Sequence, residues 1–165
     1  MNSAEQLKPK DFATPETAFL KYADEVYRLA FVRTGSRSDS DDILQEVFLR
    51  YMKVWRKMES EEHIKATLIR ITVNCSNSLL SSSWFKKTDP LDENIAAVED
   101  NSAQSALSEV LKLPVKYRTV IHLHYYMGYS VAEIAELTKT NPSTVKTRLA
   151  RARGQLKKTL EAEDL

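Results

Sequence analysis

The sequence predicts an all-α protein of two small helical domains, and three observations carry that expectation. Apolar residues recur at three- and four-residue spacing along most of the chain. Three glycines among 165 residues are too few for a loop-rich β fold. Capping residues stand just ahead of the periodic runs. An acidic, weakly periodic stretch divides the chain, so the expected units are residues 14–87 and 105–162, with an acidic linker over 88–104. No internal repeat is visible.

The first helix opens at Thr14-Pro15 and runs to about Arg33, with Ala18, Tyr22, Val26, Leu29 and Ala30 inward and Gly35 closing it. Residues 36–40 supply the next cap for a second helix over about 39–57, with Ile43, Leu44, Val47, Tyr51 and Val54 inward. A third helix, about 62–82, buries Ile64, Leu68, Ile71, Cys75 and Leu79 and leaves Arg70, Asn74, Asn77 and Ser78 more exposed. Helices resume near Ser102. Leu113-Pro114 then precedes a helix over 115–127, which Gly128 ends in a left-handed conformation.

Residues 130–160 organise the rest. Ser130 and Glu133 form a capping box; Val131, Ile134 and Leu137 bury one side, and Ala135 admits a close neighbour. Thr138-Lys139-Thr140 is the break, after which Asn141 caps a second helix with Pro142 at its first position. Val145, Leu149, Ala152 and Leu156 form that helix's apolar stripe. Ser143, Thr147, Ala150 and Arg151 point away from it, flanked by Lys146 and Arg148, with no carboxylate between Lys139 and Leu160. Short hydroxyls among cations on an exposed helix suit the major groove of DNA. Arg153, Lys157 and Lys158 lie further along, where phosphates run. The pattern is a helix-turn-helix.

The net charge of +1 conceals a segregation. Residues 88–109 hold Asp89, Asp92, Glu93, Glu99, Asp100 and Glu109 without a lysine or arginine, whereas the last helix begins wholly basic. Different segments therefore address different partners. One cysteine, Cys75, excludes an internal disulfide and fits a reducing compartment. Nothing resembles a signal peptide or a spanning segment, so a cytoplasmic location is expected. His122 and His124, about 200° apart around a helix, make a poor chelate. No metal or cofactor is expected, and no phosphate loop or nucleophile elbow is present. The chain reads as a non-enzyme.

Two motifs in order carry a family resemblance. LPVKYRTVIHLHYYMGYSVAEIAELTKTNPSTVKTRLARARGQLKK resembles region 4 of the extracytoplasmic-function sigma factors, and DDILQEVFLRYMKVW resembles their region 2.2. ATLIRITVNCSNSLLSS, which follows the latter, resembles regions 2.3 and 2.4. The likeness spans about residues 18–158. It implies a bacterial initiation factor that binds core RNA polymerase and directs it to promoters through the −35 duplex and the −10 single strand. It further implies an anti-sigma partner, often anchored in the membrane.

By this resemblance Asp41, Asp42, Gln45, Glu46, Phe48 and Leu49 would meet the polymerase clamp; exposed carboxylates beside apolar residues suit protein rather than phosphate. Arg70, Asn74, Asn77, Ser78, Trp84, Lys86 and Lys87 would hold the opened −10 strand, with Asn74 offering both donor and acceptor to a base edge. Asn141, Ser143, Thr144, Lys146, Thr147, Arg148, Ala150, Arg151 and Arg153 would hold the −35 duplex, with Lys146 and Arg151 reading bases. The six acids around the linker would either mimic nucleic acid in polymerase channels or form a self-repelling, solvated tether. Departures concentrate near the −10 region: Thr67 replaces the family's tryptophan, and Ser81-Ser82-Ser83 its arginine run. Two rivals follow, a helix-turn-helix regulator acting without polymerase and a sigma-like protein with impaired melting.

Overall fold

The structure, a computed structural model, describes residues 11–82 and 101–163. Among the described residues every regular element is helical. Most of the acidic linker, together with Trp84, Lys86 and Lys87, lies outside them.

α1 (Pro15–Thr34) begins where Thr14 Oγ1 accepts the Thr17 N–H at 3.3 Å, and Pro15 takes the first position. It ends at Gly35, whose φ of 68° lets its N–H reach the Phe31 carbonyl at 2.7 Å. Ser36 caps α2 (Arg37–Tyr51) and Ser60 caps α3 (Glu61–Leu80), each accepting the N–H three residues on. α2 ends six residues earlier than its apolar periodicity suggests. After Tyr51 the backbone tightens to three-residue hydrogen bonds, Lys53 to Arg50 and Val54 to Tyr51, then a 3₁₀ turn over Trp55–Lys57. Such a turn still delivers Met58 into the core.

The α1–α3 bundle closes around Tyr22 and Val26, Ile43, Val47 and Tyr51, and Ile64 and Leu68. Tyr51 is fully buried, and its hydroxyl donates to the Ala13 carbonyl at 2.5 Å. Cys75 is a buried structural thiol whose pKa burial pushes up.

The second half comprises α4 (Asn101–Leu111), α5 (Val115–Ile121), α6 (Val131–Thr138) and α7 (Pro142–Glu163). α5 runs straight into a π-helical turn, His122–Tyr126, and Gly128 reverses the chain at a φ of 80°. The capping box at α6 is complete: the Glu133 N–H reaches Ser130 Oγ at 3.2 Å, and the Ser130 N–H reaches Glu133 Oε2 at 2.9 Å. Lys139 ends α6 at a φ of 55°, where a Cβ is disfavoured. Lys139→Gly is expected to stabilise the protein by about 0.5–1 kcal/mol, read as a higher urea midpoint.

The two halves share a core. Leu29 of α1 and Ile69 and Val73 of α3 pack with Tyr117, Val120, Ile134 and Leu149. Arg33, buried at the end of α1, donates from Nε to Ser76 Oγ at 2.5 Å, from Nη1 to Thr119 Oγ1 at 2.7 Å, and from Nη2 to Asn77 Oδ1. Arg118 returns a bond to the Arg33 carbonyl at 3.1 Å. Burial, and then Arg118, lower the Arg33 pKa to about 10. α3 therefore has two buried sides where its sequence shows one stripe, and Ile69, Thr72, Val73 and Ser76 lie inside. Around the seam, Arg70 pairs with Glu136 at 3.1 Å, and Arg28 donates to the Tyr126 hydroxyl.

Candidate nucleic-acid and polymerase interfaces

Three surfaces hold the residues singled out from the sequence. The first is α7. Its register is set at the start, where Asn141 Oδ1 accepts both the Thr144 N–H and the Ser143 hydroxyl at 2.8 Å. Val145, Leu149 and Ala152 are buried against α5 and α6, which turns Ser143, Thr147 and Ala150 squarely outward. These small side chains leave a shallow strip along the helix. Lys146 and Arg151 border it on opposite sides, about 140° apart around the axis. Neither enters an ion pair among the described residues. A helix with a low centre and cationic borders can sit deep in a groove while both borders meet polar edges. Arg148 is half-buried, and Arg153 is held away from the strip by a 2.8 Å bond to the Tyr125 hydroxyl.

The second surface is the outer side of α3. Asn74 is exposed, and Ser78 donates back to its carbonyl at 3.2 Å. Asn77 is exposed too, but its Oδ1 accepts from Arg33, so its NH₂ remains for a ligand. Arg70 is half-buried in its pairing with Glu136 of the other half.

The third is the outer side of α2. Asp41, Asp42, Gln45, Glu46 and Leu49 are exposed together, with Glu46 bonded to Arg50 at 2.9 Å. Phe48 requires a correction, because it is 8% exposed and turned inward. Its ring packs edge-on against Phe19 at 5.0 Å and Tyr51 at 6.3 Å, so it supports the surface from beneath. Phe19, Leu20 and Met52 are large exposed apolar side chains on α1 and beside α2. They were missed, although Phe19 and Leu20 are apolar residues off the buried stripe of α1, which is the signal that finds them.

Comparison with known proteins follows this division. Residues 18–85 match the profile of sigma-70 region 2, and residues 103–156 match that of sigma-70 region 4. The RNA polymerase sigma factor SigV of Bacillus subtilis is 32% identical over 155 residues, covering 90% of this chain and 92% of that protein. The ECF RNA polymerase sigma factor SigW of the same organism is 30% identical, covering 84% of each. Among solved structures, the sigma factor RpoE bound to the anti-sigma factor NepR from Bartonella quintana superposes with a TM-score of 0.76 at 19% identity, covering 92% and 98% of the two chains. CnrH in complex with the cytosolic domain of CnrY gives 0.64 at 22% identity, covering 90% and 88%. The two solved structures share the fold; the sequence relatives and both regional profiles, in order along the chain, place the protein in the sigma-70 family, among the extracytoplasmic-function RNA polymerase sigma factors.

Proposed function

We propose that this chain acts as a transcription initiation factor in which α2 grips core RNA polymerase, α3 holds the opened −10 strand and α7 holds the −35 duplex. The observation that supports it most is the division of charge. The outer side of α2 is acidic with apolar neighbours, while α7 carries unpaired cations around a low polar strip. One suits protein and the other nucleic acid. Asn74 and the free NH₂ of Asn77 serve the separated strand. RNA synthesis itself belongs to polymerase, in the cytoplasm, and this chain brings no catalytic centre.

An anti-sigma protein is the expected inhibitor, since the solved neighbour RpoE is bound to one. An apolar cleft of about 580 Å³ between the halves, lined by Tyr27, Phe31, Val110, Ile121, Tyr125 and Tyr126 and bordered by Arg28 and Arg37, suits an acidic amphipathic helix of such a partner.

Run-off transcription tests the reading. Core polymerase plus this chain should yield product from linear duplex carrying a promoter selected with the same holoenzyme. Product from a pre-opened bubble alone would indicate impaired melting, and duplex binding unaffected by core would indicate a polymerase-independent regulator. Asp42→Lys combined with Glu46→Lys should weaken core binding by about tenfold or more, measured by pull-down, without changing duplex binding by the free chain.

A further inference from the structure

The first turn of α5 lies beside the first two turns of α7. Between them is a cleft of about 260 Å³ lined by Lys116, Ser143, Thr144, Thr147, Arg148 and Arg151, with Tyr117 at its side. No carboxylate lines it. Lys116, Arg148 and Arg151 enter no ion pair among the described residues. Three unneutralised cations around one concavity repel one another, and an anion placed among them relieves that repulsion. Nor does Lys116 serve its own helix. A cation in a helix's first turn opposes the macrodipole, and α5 has no acid there to offset it. The Lys116 Nζ lies over the Tyr117 ring, 5.4 Å from its centroid, and that ring lines the cleft.

The cleft is on the Arg151 side of α7, at the edge of the low strip, with which it shares Ser143 and Thr147. When that strip faces base edges, the sugar–phosphate strand bordering the groove passes over the cleft. We propose that this cleft seats a backbone phosphate of the promoter duplex, and that Lys116, outside the helix-turn-helix, is a positioning contact for it. The inference rests on the reading of α7 as the duplex-binding helix. It adds an anchor from a separate element, so the angle at which α7 enters the groove is set from two helices.

The test is duplex binding by holoenzyme as a function of salt, on a promoter fragment selected with the wild-type protein. Each phosphate neutralised contributes about 0.9 to the slope of log affinity against log salt. Lys116→Gln should reduce the slope by about one, and Lys116→Arg should keep it. A threefold drop in salt then strengthens wild type about 2.7-fold more than Lys116→Gln. The loss should be equal on the selected fragment and on one with a substituted −35 element, because a phosphate contact carries no base preference. An unchanged slope overturns the inference, as does a loss confined to particular bases. Wild-type holoenzyme that holds duplex with no salt dependence overturns the underlying reading of α7 and the phosphate seat with it.

Discussion

Truncating Tyr51 to alanine is expected to cost the front bundle about 3–5 kcal/mol. Tyr51 is 0% exposed and stands at the end of α2, where its ring meets Phe48 and its hydroxyl reaches back to Ala13. Burial, with Glu61 adding to it, pushes its pKa up to about 12, so the hydroxyl stays a donor at any working pH. Tyr51→Phe keeps the ring and leaves the Ala13 carbonyl unanswered, which should cost about 1 kcal/mol. Urea unfolding followed by circular dichroism separates the two. A Tyr51→Ala protein as stable as Tyr51→Phe would mean that the ring is not what holds α2 in place. Loss of α2 packing also loosens the support under Asp42, Gln45 and Glu46, so polymerase binding should fall with the folded fraction.

The second large effect is a loss of stability in mild acid traced to His122. The ring is 8% exposed, stacked on Tyr126 at 4.8 Å, and its Nε2 has no hydrogen-bond partner among the described residues. Burial, and then the nearby Arg28 charge, lower its pKa from 6.5 to about 4. Between those values the unfolded chain takes up a proton that the folded protein refuses. Acidification through that window therefore favours unfolding, by about 2 kcal/mol between pH 7 and pH 5 and about 3 kcal/mol by pH 4. Above pH 7 the contribution is flat. Urea midpoints of the wild type and of His122→Leu, compared at pH 7 and pH 5, isolate this group, because carboxylates common to both cancel. Equal pH dependence in the two proteins would show that the imidazole is not kept neutral by its surroundings.

The helix starts were legible because each cap acts within four residues of itself. Thr14, Ser36, Ser130 and Asn141 all make the bonds their positions foretell. The outward strip of α7 was legible for a similar reason, since its buried stripe needs no knowledge of what it packs against. What escaped depends on distant chain. Ile69 and Val73 are buried by the other half of the molecule, and no local pattern announces a second partner for α3. Phe48 joins the clamp surface by family resemblance alone, yet Phe19 from another helix completes a pocket that turns it inward. The tight turn after Tyr51 contains neither glycine nor proline, and the apolar spacing continues through it. The π-helical turn of His122–Tyr126 likewise keeps helical side-chain chemistry while shifting the backbone ladder. Lys116 meets the cleft beside α7 through tertiary packing, with nothing in its neighbours' types to mark it.

Leu29, Ile69 and Val73 have a further meaning for how such a protein is controlled. A partner that spreads the chain must hydrate these side chains and sever Arg33 from Thr119, work that is subtracted from its own grip. A partner that leaves the seam intact does none of that work. Two rivals with equal contact area would thus differ in affinity merely through the posture each demands.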